Sequence, residues 1–154
     1  MRSSTRGLVA CLVLLAISLP AAPSTASAAE PSAGALMVWE INKARAKRGL
    51  WPLQRSVSLQ RSARGFARWQ MRNDRFGHVS SIRASRRFSM RGEALAFHRG
   101  RRARIRYTVR AWLRSPPHRR LVLSRSMGLA GAGHSKGRFG GRRTVIWVLH
   151  LGRS

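Results

Sequence analysis

The chain of 154 residues has one cysteine, four carboxylates and one tyrosine. The cysteine, Cys11, lies in an apolar stretch near the N-terminus. Once that stretch is removed no thiol remains. A disulfide, a cysteine nucleophile and a cysteine-bound metal are then excluded, and burial of apolar surface must hold the fold. The carboxylates are Glu30, Glu40, Asp74 and Glu93, set against 31 basic residues, for a formal charge of +27. Several further features are missing. There is no internal repeat, no H-E-x-x-H helix and no zinc-finger or RNA-recognition signature.

The first segment has the order of a secretory leader. Arg2 and Arg6 precede an apolar or small run from Leu8 to Leu19, Pro20 ends it, and Ala26-Ser27-Ala28 offers a small-x-small cleavage site. The run is too short for a span, which needs about 20 apolar residues. Residues 1–28 are therefore expected to be a cleaved signal peptide, 29–35 a short tail and 36–154 one domain. The product is expected to be secreted or extracellular, and monomeric.

Hydrophobic residues make up 44% of the chain, enough to build a core. Of the basic residues only Lys43, Lys47 and Lys136 are lysine; the rest are arginine, spread along the chain rather than gathered in one stripe. That spread, together with export, argues against nucleic acid and for an anionic envelope surface as the partner of the charge.

Periodicity outlines the domain. Met37, Ile41 and Ala44 mark a first helix ending near Gly49. A second helix starts near Ser56, with Leu59, Ala63, Phe66, Ala67, Gln70 and Met71 on one face. Residues 73–91 lack a period and read as a long loop. A third helix fits Ile105 to Arg114. Ser115-Pro116-Pro117 stops it and starts a short helix carrying His118, with Ser115 as its cap. Residues 129–133 suit a close-packed strand, 135–143 a Gly/Arg turn region, and 144–151 a strand with two apolar faces. Helices first and strands last predict an α+β fold with a mainly antiparallel sheet.

Glu93 is the carboxylate that stands out. It enters the apolar segment Ala94-Leu95-Ala96-Phe97, where a buried carboxylate needs a charged or hydrogen-bonding partner. An arginine could serve; an imidazole could as well. His78 sits in Phe76-Gly77-His78-Val79-Ser80, and His118 in Trp112-Leu113-Arg114-Ser115-Pro116-Pro117-His118-Arg119. These segments follow Ile41-Asn42-Lys43-Ala44-Arg45 and Gly49-Leu50-Trp51-Pro52-Leu53. They flank Gly92-Glu93-Ala94-Leu95-Ala96 and precede Gly131-Ala132-Gly133 and the last strand. The ordered set resembles the CAP superfamily, also called SCP/PR-1-like, in its short bacterial secreted form, from about Leu36 to Gly152.

The resemblance implies a CAP-like α-β-α sandwich with a central, mainly antiparallel sheet. It also implies a ligand cavity at His78, Glu93, His118 and Ser115. Ser115 stands where the eukaryotic branch has a second glutamate, three residues after the tryptophan. The final strand departs too, and His150 is expected on the face of the sheet away from the cavity. Three readings follow. A binding domain would hold a small molecule, a lipid or a zinc-like divalent metal, the metal through His78, Glu93 and His118. A hydrolase would use the His/Glu pair for acid–base work, with Ser80 or Ser115 as nucleophile. An arginine-rich protein adhering to anionic surfaces or nucleic acid needs no pocket. The residues favour binding over catalysis.

Overall fold

The structure is a computed structural model, and it describes residues 31–82 and 88–153. The leader and the start of the tail lie outside the described residues. Helix α1 (Ala33–Ala46) begins where the Ser32 hydroxyl accepts from the Ala35 amide at 3.2 Å. The short strand β1 (Gln54–Arg55) follows, then α2 (Val57–Arg72), capped by Ser56. Strand β2 (Met90–Arg99), α3 (Ile105–Arg114) and α4 (Pro116–Val122) come next, before β3 (Leu129–Phe139) and β4 (Arg142–Arg153).

The strands form one sheet in the order β1-β3-β4-β2. β2 and β3 both run antiparallel to β4, and β1 pairs with β3 in parallel. Alternation along β4 divides the core. Val145, Trp147, Leu149 and Leu151 pack with Met37, Ile41, Val109, Trp112 and Val122 from α1, α3 and α4. Ile146 and Val148 pack with Ala63, Phe66 and Ala67 of α2 on the opposite face. The result is an α-β-α sandwich.

The apolar periods account for the helices, and the α3 bounds are those expected from sequence. The Gly/Arg region does not form the long turn expected. β3 continues to Phe139, only Gly140 and Gly141 turn, and β4 starts at Arg142. A strand lying along a partner satisfies its backbone without needing apolar side chains, so the polar half of this hairpin carries no hydrophobic signature. The long loop is likewise shorter than expected, because β2 begins at Met90.

Close backbone approach fixes the helices against the sheet. A Cβ at Gly131 would lie 2.0 Å from the Gln60 nitrogen and 2.3 Å from the Leu59 carbonyl carbon. The start of α2 therefore rests directly on β3. On the other face, a Cβ at Gly92 would meet Leu121 of α4 at 2.4 Å. Arg45, 2% exposed, ties α1 to α4: its guanidinium donates to the carbonyls of Trp51 (2.9 Å), Val122 (2.8 Å) and Ser124 (3.0 Å).

Candidate functional site

The candidate residues meet at the β2 edge of the sheet. Glu93 lies on β2 with its side chain 2% exposed and accepts at both carboxylate oxygens. Nδ1 of His78 lies 2.7 Å from Oε1, and Nε2 of His150 lies 2.9 Å from Oε2. The partner of the buried carboxylate is thus imidazole, twice over, and not arginine. His78 comes from the segment after α2. Gln70, fully buried on α2, anchors that segment: its side-chain oxygen accepts from the Gly77 amide at 3.1 Å and its backbone carbonyl from Arg75 at 3.1 Å.

His150 corrects the expectation that placed it on the other face. Glu93 and His150 are directly opposed across β2 and β4, and opposed residues share a face. Both faces of β4 are apolar, so parity alone left the direction of His150 open. Behind it the chain of contacts continues. Nδ1 of His150 lies 2.7 Å from the Ser62 hydroxyl, and that hydroxyl lies 3.0 Å from the Leu59 carbonyl. The Phe66 ring stacks on His150, with ring centroids 6.5 Å apart.

His118 approaches from the first turn of α4. Ser115 occupies the N-cap position but makes no capping bond; its hydroxyl pairs instead with Nδ1 of His118 at 2.8 Å. His118 does not bond to Glu93. It is near enough to His78 to feel its charge. Burial, first, and the His78 charge, second, hold the His118 imidazole below its ordinary pKa of 6.5, so it stays neutral to lower pH. The structure therefore joins His78 directly to Glu93 and sets the His118–Ser115 pair beside them. Sequence reasoning missed Ser62 and the anchoring role of Gln70. Ser62 carried no signal on a polar helix stretch, whereas a glutamine on an apolar helix face could have flagged Gln70.

A family model for CAP, the cysteine-rich secretory protein family, matches residues 38–151. The chain belongs to the CAP family. Among curated proteins none matches. Solved structures share the fold. An outer surface protein from Borrelia burgdorferi superposes with a TM-score of 0.63 at 21% identity, over 77% of this chain and 90% of that one. An extracellular SCP-domain protein from Bacillus anthracis gives 0.62 at 19% identity over 89% of this chain, which spans only 45% of the Bacillus protein's length. Venom allergen-like protein 4 of Schistosoma mansoni gives 0.53 at 13%, over 77% and 86%. No described helix of this CAP domain is long and apolar enough to cross a membrane.

The donor set decides how a metal fits. No three His, Cys, Asp or Glu side chains among the described residues are arranged to hold one ion. The reason is geometric: Glu93 has an imidazole on each oxygen, so it is not free as a third ligand beside His78 and His118. What remains is Nε2 of each of those histidines, which has no partner among the described residues. Each ring is steadied at Nδ1, one by a carboxylate and one by a hydroxyl. Oxygen partners on the second nitrogen are what metal-ligating histidines have. The three-ligand set does not fit, and two imidazoles are what the described residues would have to offer a metal. A groove of about 740 Å³, lined by Leu36, Trp39, Leu53 and Val57 among others, lies by the opposite, β1 edge and includes none of these histidines.

Proposed function

We propose that this CAP domain is an exported binding module that takes up a zinc-like divalent ion between His78 and His118, at an anionic envelope surface. The observation that carries the reading is the pairing of each Nδ1 with an oxygen, which leaves both Nε2 atoms as ligands. Glu93 orients His78, and Ser115 orients His118. Bound there, the ion would act as a Lewis acid with open positions for water or an anionic small molecule. The test is equilibrium dialysis against zinc with the mature protein. His78→Ala and His118→Ala are expected to abolish uptake while the fold is kept, and Glu93→Gln to weaken it by about 10- to 100-fold. A mature protein that takes up no zinc, or His variants that bind as well as the parent, would refute the reading.

The surface part of the proposal rests on charge. Net +27 and exposed arginines predict retention on vesicles containing anionic lipid and release at high salt, whatever residue occupies position 78. A hydrolase reading has one observation in its favour, the Ser115–His118 contact at 2.8 Å. It predicts turnover of activated esters that Ser115→Ala eliminates; no turnover across a broad ester panel removes it.

A further inference from the structure

Glu93 reaches His78 through only one of its two oxygens. The other is held from behind by His150, whose ring is fully buried. His150 is in turn held on its far nitrogen by Ser62, one turn inside α2. The four side chains form an unbroken hydrogen-bonded line from the helix interior, across the sheet face, to an imidazole that is 58% exposed. Backbone geometry builds this line. Gly131 is the residue opposite His150 on β3, and its missing Cβ lets α2 rest on the strand there, which brings Ser62 to His150.

The protons on this line can be counted. The Ser62 hydroxyl has one proton, which goes either to the Leu59 carbonyl or to Nδ1 of His150, and either arrangement keeps the ring seated. The contact between Nε2 and Oε2 of Glu93 needs one more proton, held between ring and carboxyl. Oε1 is left as an acceptor, so Nδ1 of His78 carries a proton and the lone pair of neutral His78 sits on Nε2.

We infer that His150, seated by Ser62, is a positioning residue of the site: it locks the Glu93 carboxyl so that Oε1 holds the His78 ring with Nε2 free to bind. The consequence for ligand uptake rests on the metal reading above; the consequence for the His78 ring does not. The experiment uses the mature protein in two forms. In the metal-free protein, imidazole ¹⁵N shifts in long-range ¹H–¹⁵N spectra, recorded at a pH where the rings are neutral, report which nitrogen of His78 carries the proton. In parallel, zinc affinity is measured by calorimetry.

The parent is expected to show a single Nδ1–H form of His78. Glu93→Gln, which alters the group that touches the ring, serves as the positive control and must change the pattern. His150→Leu is expected to give a mixture of the two tautomers and to weaken zinc binding by about 10- to 100-fold. His150→Gln, whose amide can still donate toward Oε2, is expected to restore much of both. An unchanged His78 signature in folded His150→Leu, or equal loss in the Leu and Gln variants, overturns the inference. Should His150→Leu fail to fold, Ser62→Ala decides: a smaller shift in the same direction supports the positioning role, and no shift refutes it. A parent that takes up no zinc but whose His78 tautomer responds to His150→Leu sinks the metal reading and leaves the positioning role standing.

Discussion

Replacing Arg45 with methionine tests how this domain is held together without disulfides and with few ion pairs. The substitution keeps most of the apolar stem and removes the guanidinium. Burial already pushes the Arg45 pKa down, so the charge sits at some cost. Its return is three hydrogen bonds, to the carbonyls of Trp51, Val122 and Ser124. Trp51 is an exposed residue and its carbonyl can turn to water, whereas the bond to Val122 is buried. An orphaned buried carbonyl costs about 1–3 kcal/mol, and bonds from a charged donor contribute about 1.5–3 kcal/mol each before the desolvation of the charge is subtracted. A net loss of about 3 kcal/mol follows, a large part of the roughly 5–15 kcal/mol typical of a domain. For a domain of this size that is a fall in Tm of roughly 10–15 °C. Urea unfolding followed by tryptophan fluorescence gives the free energy, and a thermal scan gives the Tm. Arg45→Lys is expected to fall between the two, since one ammonium cannot reach three carbonyls with a fork's geometry. Because Val122 and Ser124 close α4, the methionine variant should also loosen His118. A methionine variant within about 1 kcal/mol of the parent would show that the three bonds are worth no more than their desolvation, and the reasoning would fail.

Two glycines predict opposite outcomes. Gly131→Ala forces a Cβ against the α2 backbone and should destabilise by about 1–3 kcal/mol or more, with the His78 signature disturbed as Ser62 withdraws. Gly65→Ala meets open space on the exposed face of α2 and should stabilise by about 1 kcal/mol; urea midpoints check both. Stability should also fall with acid. His118 and His134 both have folded pKa values below the ordinary 6.5, His134 through burial and then the charges of Lys136 and Arg64. The unfolded chain therefore takes up these protons first, so their contribution is complete above about pH 6.5 and is lost as the pH falls through the lowered values. Substituting both by glutamine should flatten the urea-midpoint profile between about pH 7 and pH 5, and an unchanged slope would contradict this assignment.

The helical half of the fold was legible because its periods are strong. Leu59, Ala63, Phe66 and Ala67 pointed at a core, and the Pro-Pro stop fixed the junction of α3 and α4. The strands were less so. Residues 135–139 are rich in polar and small side chains and belong to β3 only because β4 lies beside them. At the site, the scarcity of carboxylates singled out Glu93 and the ordered motifs singled out His78 and His118. The direction of His150 was not legible, because its face is defined by register with Glu93, and register between strands 57 positions apart is a property of the folded sheet. Helix chemistry makes Ser115 a cap, yet the nearby imidazole competes for its hydroxyl and takes it.

The shortage of acidic side chains also bears on where the protein is most stable. Among the described residues Glu93 answers to imidazoles and Asp74 to the Gly140 amide, so only Glu40 meets cationic side chains, those of Lys43 and Arg106. Folding gathers the remaining arginines within range of one another, while the unfolded chain lets them separate. Mobile ions relieve that repulsion over a screening length of about 8 Å at physiological salt. An acidic polymer relieves it further, and one that prefers the compact form adds the free energy of its own binding to that of folding. If the domain adsorbs as proposed, adsorption and folding are a single coupled equilibrium: the thermal midpoint is expected to rise as polyanion is supplied, and the domain to be least robust when released into dilute solution.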